Sequence, residues 1–198
     1  MNRTLVGSLD LSKQILQNGW DLHVPIMGMC MYPFFKAGNN IIVKSVKPSD
    51  TLVGDIILFW FGESMKAHRL LKKYMWNDKI ILLTKGDSSI SFDHPIYSEN
   101  LLGKIVAIEK GDKKIIRLDH KIWRVINYLL AVYSLTLGTF IRDENNNLNI
   151  YVMKIIRLPI IFLSIIIIDL YFVLQKCKRI TKLITLAFTY IVGVFLNN

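Results

Sequence analysis

From residue 41 to residue 118 the chain repeatedly begins an extended run and stops it within a few residues. This punctuation restricts the fold more than any other feature. Residues 41–46, 55–61, 79–84, 102–109 and 114–118 are short apolar runs, rich in β-branched and aromatic residues and too brief for helices. Turn formers stand between them: Gly38-Asn39, Gly54-Asp55, Asn77-Asp78 and Gly111-Asp112. Strands of this kind become stable only by pairing, so the expected fold is a mainly β domain built from hairpins. Ahead of them, residues 5–17 have the spacing of a short amphipathic helix, which Asn18-Gly19 would end.

Composition changes near residue 121. Residues 1–120 mix charged, aromatic and aliphatic side chains, whereas 121–198 are dominated by Ile, Leu, Phe and Tyr. Two units are therefore expected, a folded domain over 1–120 and an apolar α-helical tail over 121–198. Of the net charge of +10, the first part holds +4 (16 Lys and Arg against 12 Asp and Glu) and the second +6 (9 against 3). Basic residues set among long aliphatic runs fit anionic lipid headgroups and argue against nucleic acid as a partner. The tail contains three apolar runs, 122–141, 158–174 and 183–196. The middle one would rise about 25 Å as a helix, marginal against a hydrocarbon core about 30 Å thick. Lys154 and Arg157 precede it, and Lys176, Lys178, Arg179 and Lys182 follow it. Charge at both ends leaves two topologies open, a spanning hairpin and helices lying in the interface or against the domain.

Two cysteines, Cys30 and Cys177, do not make a disulfide framework. The first 21 residues contain no apolar signal-peptide core, being interrupted by Asp10, Lys13, Gln14, Gln17 and Asn18. The expectation is a membrane-associated protein whose domain over 1–120 lies on the cytoplasmic, inner face.

The residues with chemical potential fall in a suggestive order. Cys30 sits in a turn opened by Gly28, His68 follows, and Asp87 and Asp93 come later. A nucleophile, a base and a carboxylate are the parts of a hydrolytic triad, in which the third group orients the base. A thiol suits the first role: its free pKa is about 8.5 and an adjacent imidazole lowers it. Metal and nucleotide motifs are absent, so neither a metal nor another cofactor is expected.

Gly28-Met29-Cys30-Met31-Tyr32-Pro33, with Gly38 beyond, resembles the serine-methionine-x-proline box of the signal peptidase and SOS-repressor superfamily of peptidases. Gly54-Asp55-Ile56-Ile57-Leu58-Phe59 is similar to the strand that follows that box. His68-Arg69-Leu70 resembles the His-Arg box of the histidine-type signal peptidases, and Thr84-Lys85-Gly86-Asp87 and Leu102-Gly103-Lys104-Ile105-Val106 resemble the two remaining boxes. The resemblance covers residues 24–110. It implies a signal-peptidase-like β-fold, Cys30 in the place of the nucleophilic serine, His68 as base and Asp93 as the orienting carboxylate, with Asp87 the second candidate. Gly28, Met29, Met31 and Pro33 would shape or line the substrate cleft. Because Gly28 carries no hydroxyl, oxyanion stabilisation would rest on backbone N–H groups, chiefly that of Cys30.

The function these features imply is removal of a leader or signal peptide from a precursor, bound as an added strand. Other possibilities stay open. A catalytically silent homologue would escort the precursor, and a conventional membrane signal peptidase would act on secreted preproteins. Cys30 itself is compatible with a working thiol enzyme, an introduced change from serine, or an inactive site.

Overall fold

Each of the five runs expected to be extended contains a strand of the computed structural model, which describes residues 3–110 and 114–142, though Ser45, Val46, Asp55 and Leu118 fall outside the strands. Helix α1 (Arg3–Gln17) is followed by β1 (Leu22–Pro25), β2 (Asn40–Lys44), β3 (Ile56–Phe61), β4 (Ser64–Trp76), β5 (Lys79–Lys85), β6 (Ile96–Tyr97), β7 (Leu101–Lys110) and β8 (Lys114–Arg117), and then by α2 (Lys121–Arg142). The described fold is thus mainly β, one antiparallel sheet with two helices. Its strands lie in the order β1-β2-β7-β3-β4-β5-β6, with β8 beside β7.

Strand β4 organises the site. Ser64 to Arg69 pair with β3, from Phe61↔Ser64 to Ile56↔Arg69. Pairing with β5 starts only at Arg69↔Lys85 and runs to Trp76↔Lys79. Asn77 and Asp78 close that hairpin with φ of 47° and 59°, as a two-residue turn of the favoured twist requires. One edge of Ser64–His68 therefore has no strand beside it among the described residues. His68 stands one position before the point where β5 takes over.

Ile57, Phe59, Leu70, Leu82 and Ile96, each at most 1% exposed, form a core cluster that Phe61, Ile80 and Leu101 flank. Burying a side chain of this size stabilises by about 1.5–3 kcal/mol. The cluster lies under β3, β4 and β5, so the strand carrying His68 is held on a rigid base.

Helix α2 takes in the whole first apolar run of the tail, 122–141. Trp123, Asn127 and Ala131 are buried at four-residue spacing, while Tyr128, Leu129 and Val132 face outward. The compact unit spans Met1–Asn145 and includes α2. The division expected between residues 120 and 121 rests on composition, which changes before the packing does. Among the described residues no helix is long and apolar enough to cross a membrane. The runs 158–174 and 183–196 lie outside the described residues.

Helix α2 comes close to the turn before β3 at Gly54. A Cβ there would lie 2.7 Å from Asn127 C and Tyr128 N, and φ is +96°. Neither backbone atoms nor a left-handed conformation accommodate an L side chain cheaply. Gly54→Ala should cost roughly 2–4 kcal/mol, read as a lower midpoint in urea unfolding. An unchanged midpoint would mean that α2 does not rest on this turn.

Candidate active site

The turn that carries Cys30 is built between β1 and β2. Its ends are tied together where Ile26 N–H donates to Asn39 O (2.9 Å) and Gly38 N–H to Ile26 O (3.2 Å). Inside it, Tyr32 N–H donates to Met29 O and Phe35 N–H to Met31 O, both at 3.0 Å. Met31, Phe34 and Phe35, at 1%, 5% and 1% exposure, plug the turn into the domain. Cys30 stands half-buried at its head. Met31 and Pro33, expected at the substrate cleft, are buried and shape the turn from beneath, because the apolar side chains here fill the interior. Gly28 and Met29 are exposed next to Cys30, so these two remain free to meet a substrate.

The loop after β5 clasps the same turn. Ser88 N–H and Ser88 Oγ each donate to Cys30 O at 2.9 Å, and Ser88 Oγ also lies 2.9 Å from Met29 O. A Cβ at Gly86 would come 2.8 Å from Cys30 O and 3.3 Å from Cys30 Cβ. Only glycine lets the two segments approach so closely.

His68 projects from β4 toward the sulfur. Cys30 Sγ lies 4.0 Å from the carbonyl oxygen of Ala67, the neighbour of His68 on that strand. On the other side of the imidazole, Nδ1 is 2.6 Å from Asp93 Oδ2. Asp93 is itself fixed: Thr84 Oγ1 donates to the same oxygen at 2.7 Å, and Asp93 N–H donates to Thr84 O at 2.9 Å. With Nδ1 engaged, Nε2 is the ring nitrogen left to face the thiol, and Cys30 is among the groups that favour the charged imidazole. Phe59 packs edge-on against the ring at 5.8 Å.

Burial is the largest influence on the His68 imidazole and disfavours its charged form. The hydrogen bonds to Asp93 and Cys30, with the charges of both, together outweigh it and push the pKa up to about 9. His68 therefore carries its proton at neutral pH, between a carboxylate and a sulfur. Such an arrangement can deliver a proton to a leaving group.

Asp87, the second candidate for orienting the base, is engaged elsewhere. Its Oδ1 accepts from Arg69 Nε at 2.8 Å and its Oδ2 from Arg69 Nη2 at 2.7 Å. Arg69 points to the opposite side of β4 from its neighbour His68, as alternation along a strand demands. The carboxylate that meets Arg69 consequently cannot also meet the imidazole. Arg69 is fully buried. Its Nη1 donates to Gly54 O (3.1 Å) and Asn127 Oδ1 (2.9 Å). His94 is exposed and stacks on Phe61 at 6.5 Å, while His23 lies 3.8 Å from Glu109. Among the described residues no cluster of three or more His, Cys, Asp or Glu side chains is placed to hold a metal ion.

Two contributors carry no signal of their own in the sequence. Thr84 belongs to a motif segment, but its hydroxyl contact with Asp93 depends on how the loop returns. Ser88 is an ordinary loop serine until the turn at Cys30 is folded against it.

Comparison with protein-family models finds no match to this chain, and no curated protein matches it.

Proposed function

We propose that this chain is an endopeptidase of the signal peptidase type, removing a leader or signal peptide from a precursor through Cys30, His68 and Asp93. The observation that carries this reading is the imidazole of His68, held by Asp93 at 2.6 Å on a strand whose neighbouring Ala67 carbonyl lies 4.0 Å from Cys30 Sγ. The motif resemblance over residues 24–110 supports the same family and its β-fold.

In the proposed reaction the Cys30 thiolate attacks the scissile carbonyl carbon, forming a C–S bond while the carbonyl electrons move onto oxygen. The Cys30 backbone N–H is the proposed donor to that oxyanion. Collapse breaks the C–N bond, and the His68 proton passes to the leaving amine. Neutral His68 then takes a proton from water, whose oxygen attacks the thioester. The C–S bond breaks, releasing the carboxylic acid and restoring the thiolate–imidazolium pair. Asp93 holds the ring in one orientation through both halves.

The open edge of Ser64–His68, where Cys30 Sγ lies 4.0 Å from Ala67 O, offers an extended peptide backbone partners on β4. The tail over 121–198 would hold the domain to anionic lipid, as an apolar helical segment on the cytoplasmic face, through its excess of six positive charges.

Purified protein should be mixed with synthetic precursors bearing leader or signal sequences, and the products weighed by mass spectrometry. Defined fragments with the wild type and none with Cys30→Ala are expected. Precursor that stays intact yet co-purifies would overturn the peptidase and favour the escort.

A further inference from the structure

Helix α2 reaches the nucleophile turn by two routes. Along the first, Asn127 Oδ1 accepts from Arg69 Nη1 at 2.9 Å, and the other nitrogens of the same guanidinium grip both oxygens of Asp87. Asp87 lies between Gly86, whose Cα packs against Cys30, and Ser88, whose N–H and hydroxyl hold Cys30 O. Along the second, the Trp123 indole meets the Phe34 ring edge-on at 6.2 Å. Phe34 belongs to the turn carrying Cys30 and also faces the Arg69 guanidinium, 5.5 Å from the ring centre. Asn127 and Arg69 are both buried, at 7% and 0% exposure. Without water to substitute, the guanidinium takes its orientation from the acceptors the protein provides.

We propose that Asn127 is a positioning residue for the nucleophile: through Arg69 and the loop 86–88 it sets where Cys30 stands relative to His68. This rests on the assignment of Cys30 and His68 above. It gives one residue of α2 a part in positioning the nucleophile, although the helix lies beyond every motif in the chain. Asn127 touches neither substrate nor sulfur; it fixes one arm of Arg69, and Arg69 fixes the carboxylate that braces the loop. A gate of this kind acts on geometry, so its loss should appear in kcat more than in KM.

The test compares Asn127→Leu, Asn127→Asp and Ala131→Gly in the full-length chain. The Leu side chain offers no acceptor, whereas Asp keeps an oxygen where Arg69 needs one. Ala131, one turn further along and fully buried, supplies a control that weakens the helix without touching Arg69. The main readout is the rate of Cys30 alkylation by iodoacetamide at pH 7, with thermal unfolding recorded in parallel. Asn127→Leu should slow alkylation about tenfold, since displacements near 1 Å at a reacting atom can cost more than that. Asn127→Asp should stay within about threefold of wild type, because a charge-assisted bond to Arg69 persists. Ala131→Gly should lower the unfolding temperature and leave the alkylation rate alone.

Equal alkylation rates for Asn127→Leu and wild type would overturn the proposal. So would a loss in Ala131→Gly matching its loss of stability. If Asn127→Leu does not fold, the Asp variant decides: a rate reduced tenfold in a folded protein contradicts an acceptor role, and a preserved rate supports it. Alkylation is read without any precursor, so a failure to cut peptides would count against the peptidase alone.

Discussion

Replacing His68 with alanine should reduce precursor cleavage by about a thousandfold or more, the usual cost of losing a proton-transferring residue from a coupled site. Alkylation of Cys30 at pH 7 should slow as well, because the imidazole that pairs with the sulfur is gone. The same residue gives a stability signature that needs no substrate. His68 is raised from 6.5 to about 9 in the folded protein. Its contribution to stability is therefore complete below about pH 6.5 and disappears as pH climbs through about 9. A shift of this size corresponds to about 3 kcal/mol. Urea unfolding of the wild type should weaken across that window, and His68→Ala should flatten the profile. NMR titration of the imidazole offers the direct check, and a midpoint near 6.5 would remove the charged pair from the mechanism.

The second large effect is expected at Asp87. Arg69 has no solvent contact, and among the described residues Asp87 is its one charged partner, bound through both oxygens. Asp87→Ala leaves the guanidinium charge buried with only Gly54 O and Asn127 Oδ1 as acceptors. A stranded charge of this kind costs about 3–5 kcal/mol. For a chain of this length the unfolding temperature should fall by about 10 °C. Replacing both members, as in Arg69→Met with Asp87→Ala, should recover part of the loss, since the uncompensated charge goes with the arginine. A fall below about 1 kcal/mol in the single variant would show that Arg69 finds compensation elsewhere.

Much of the sheet is legible in the sequence where β-branched residues crowd together. Asn40–Lys44, Ile56–Phe61 and Lys79–Lys85 advertise themselves in this way. The longest strand does not. Ser64–Trp76 holds Lys66, Arg69, Leu70, Leu71, Lys72 and Lys73 and lacks any β-branched residue, a composition at home in a helix. It is extended because β3 claims one part of it and β5 the other; tertiary pairing overrides local preference. Short Leu22–Pro25 and Ile96–Tyr97 escape notice for want of length.

The candidate site divides along a similar line. Cys30, His68 and Asp93 stand out by residue type and order. Asp93 and Asp87, six positions apart, could not be separated by type alone. What distinguishes them is that His68 and Arg69 occupy successive positions of one strand and so face opposite ways. Asn127 lay further from view, because nothing in the spacing between positions 69 and 127 tells that a helix returns over the turn at Gly54.

That return has a practical side. Anyone trimming this protein to a minimal soluble fragment would be tempted to cut where the hydropathy changes, just past Leu118. Such a cut would strip the roof from Gly54, bare one nitrogen of a guanidinium that never sees solvent, and take away the indole that wedges the cysteine-bearing loop. The smallest piece worth making keeps the chain through Arg142.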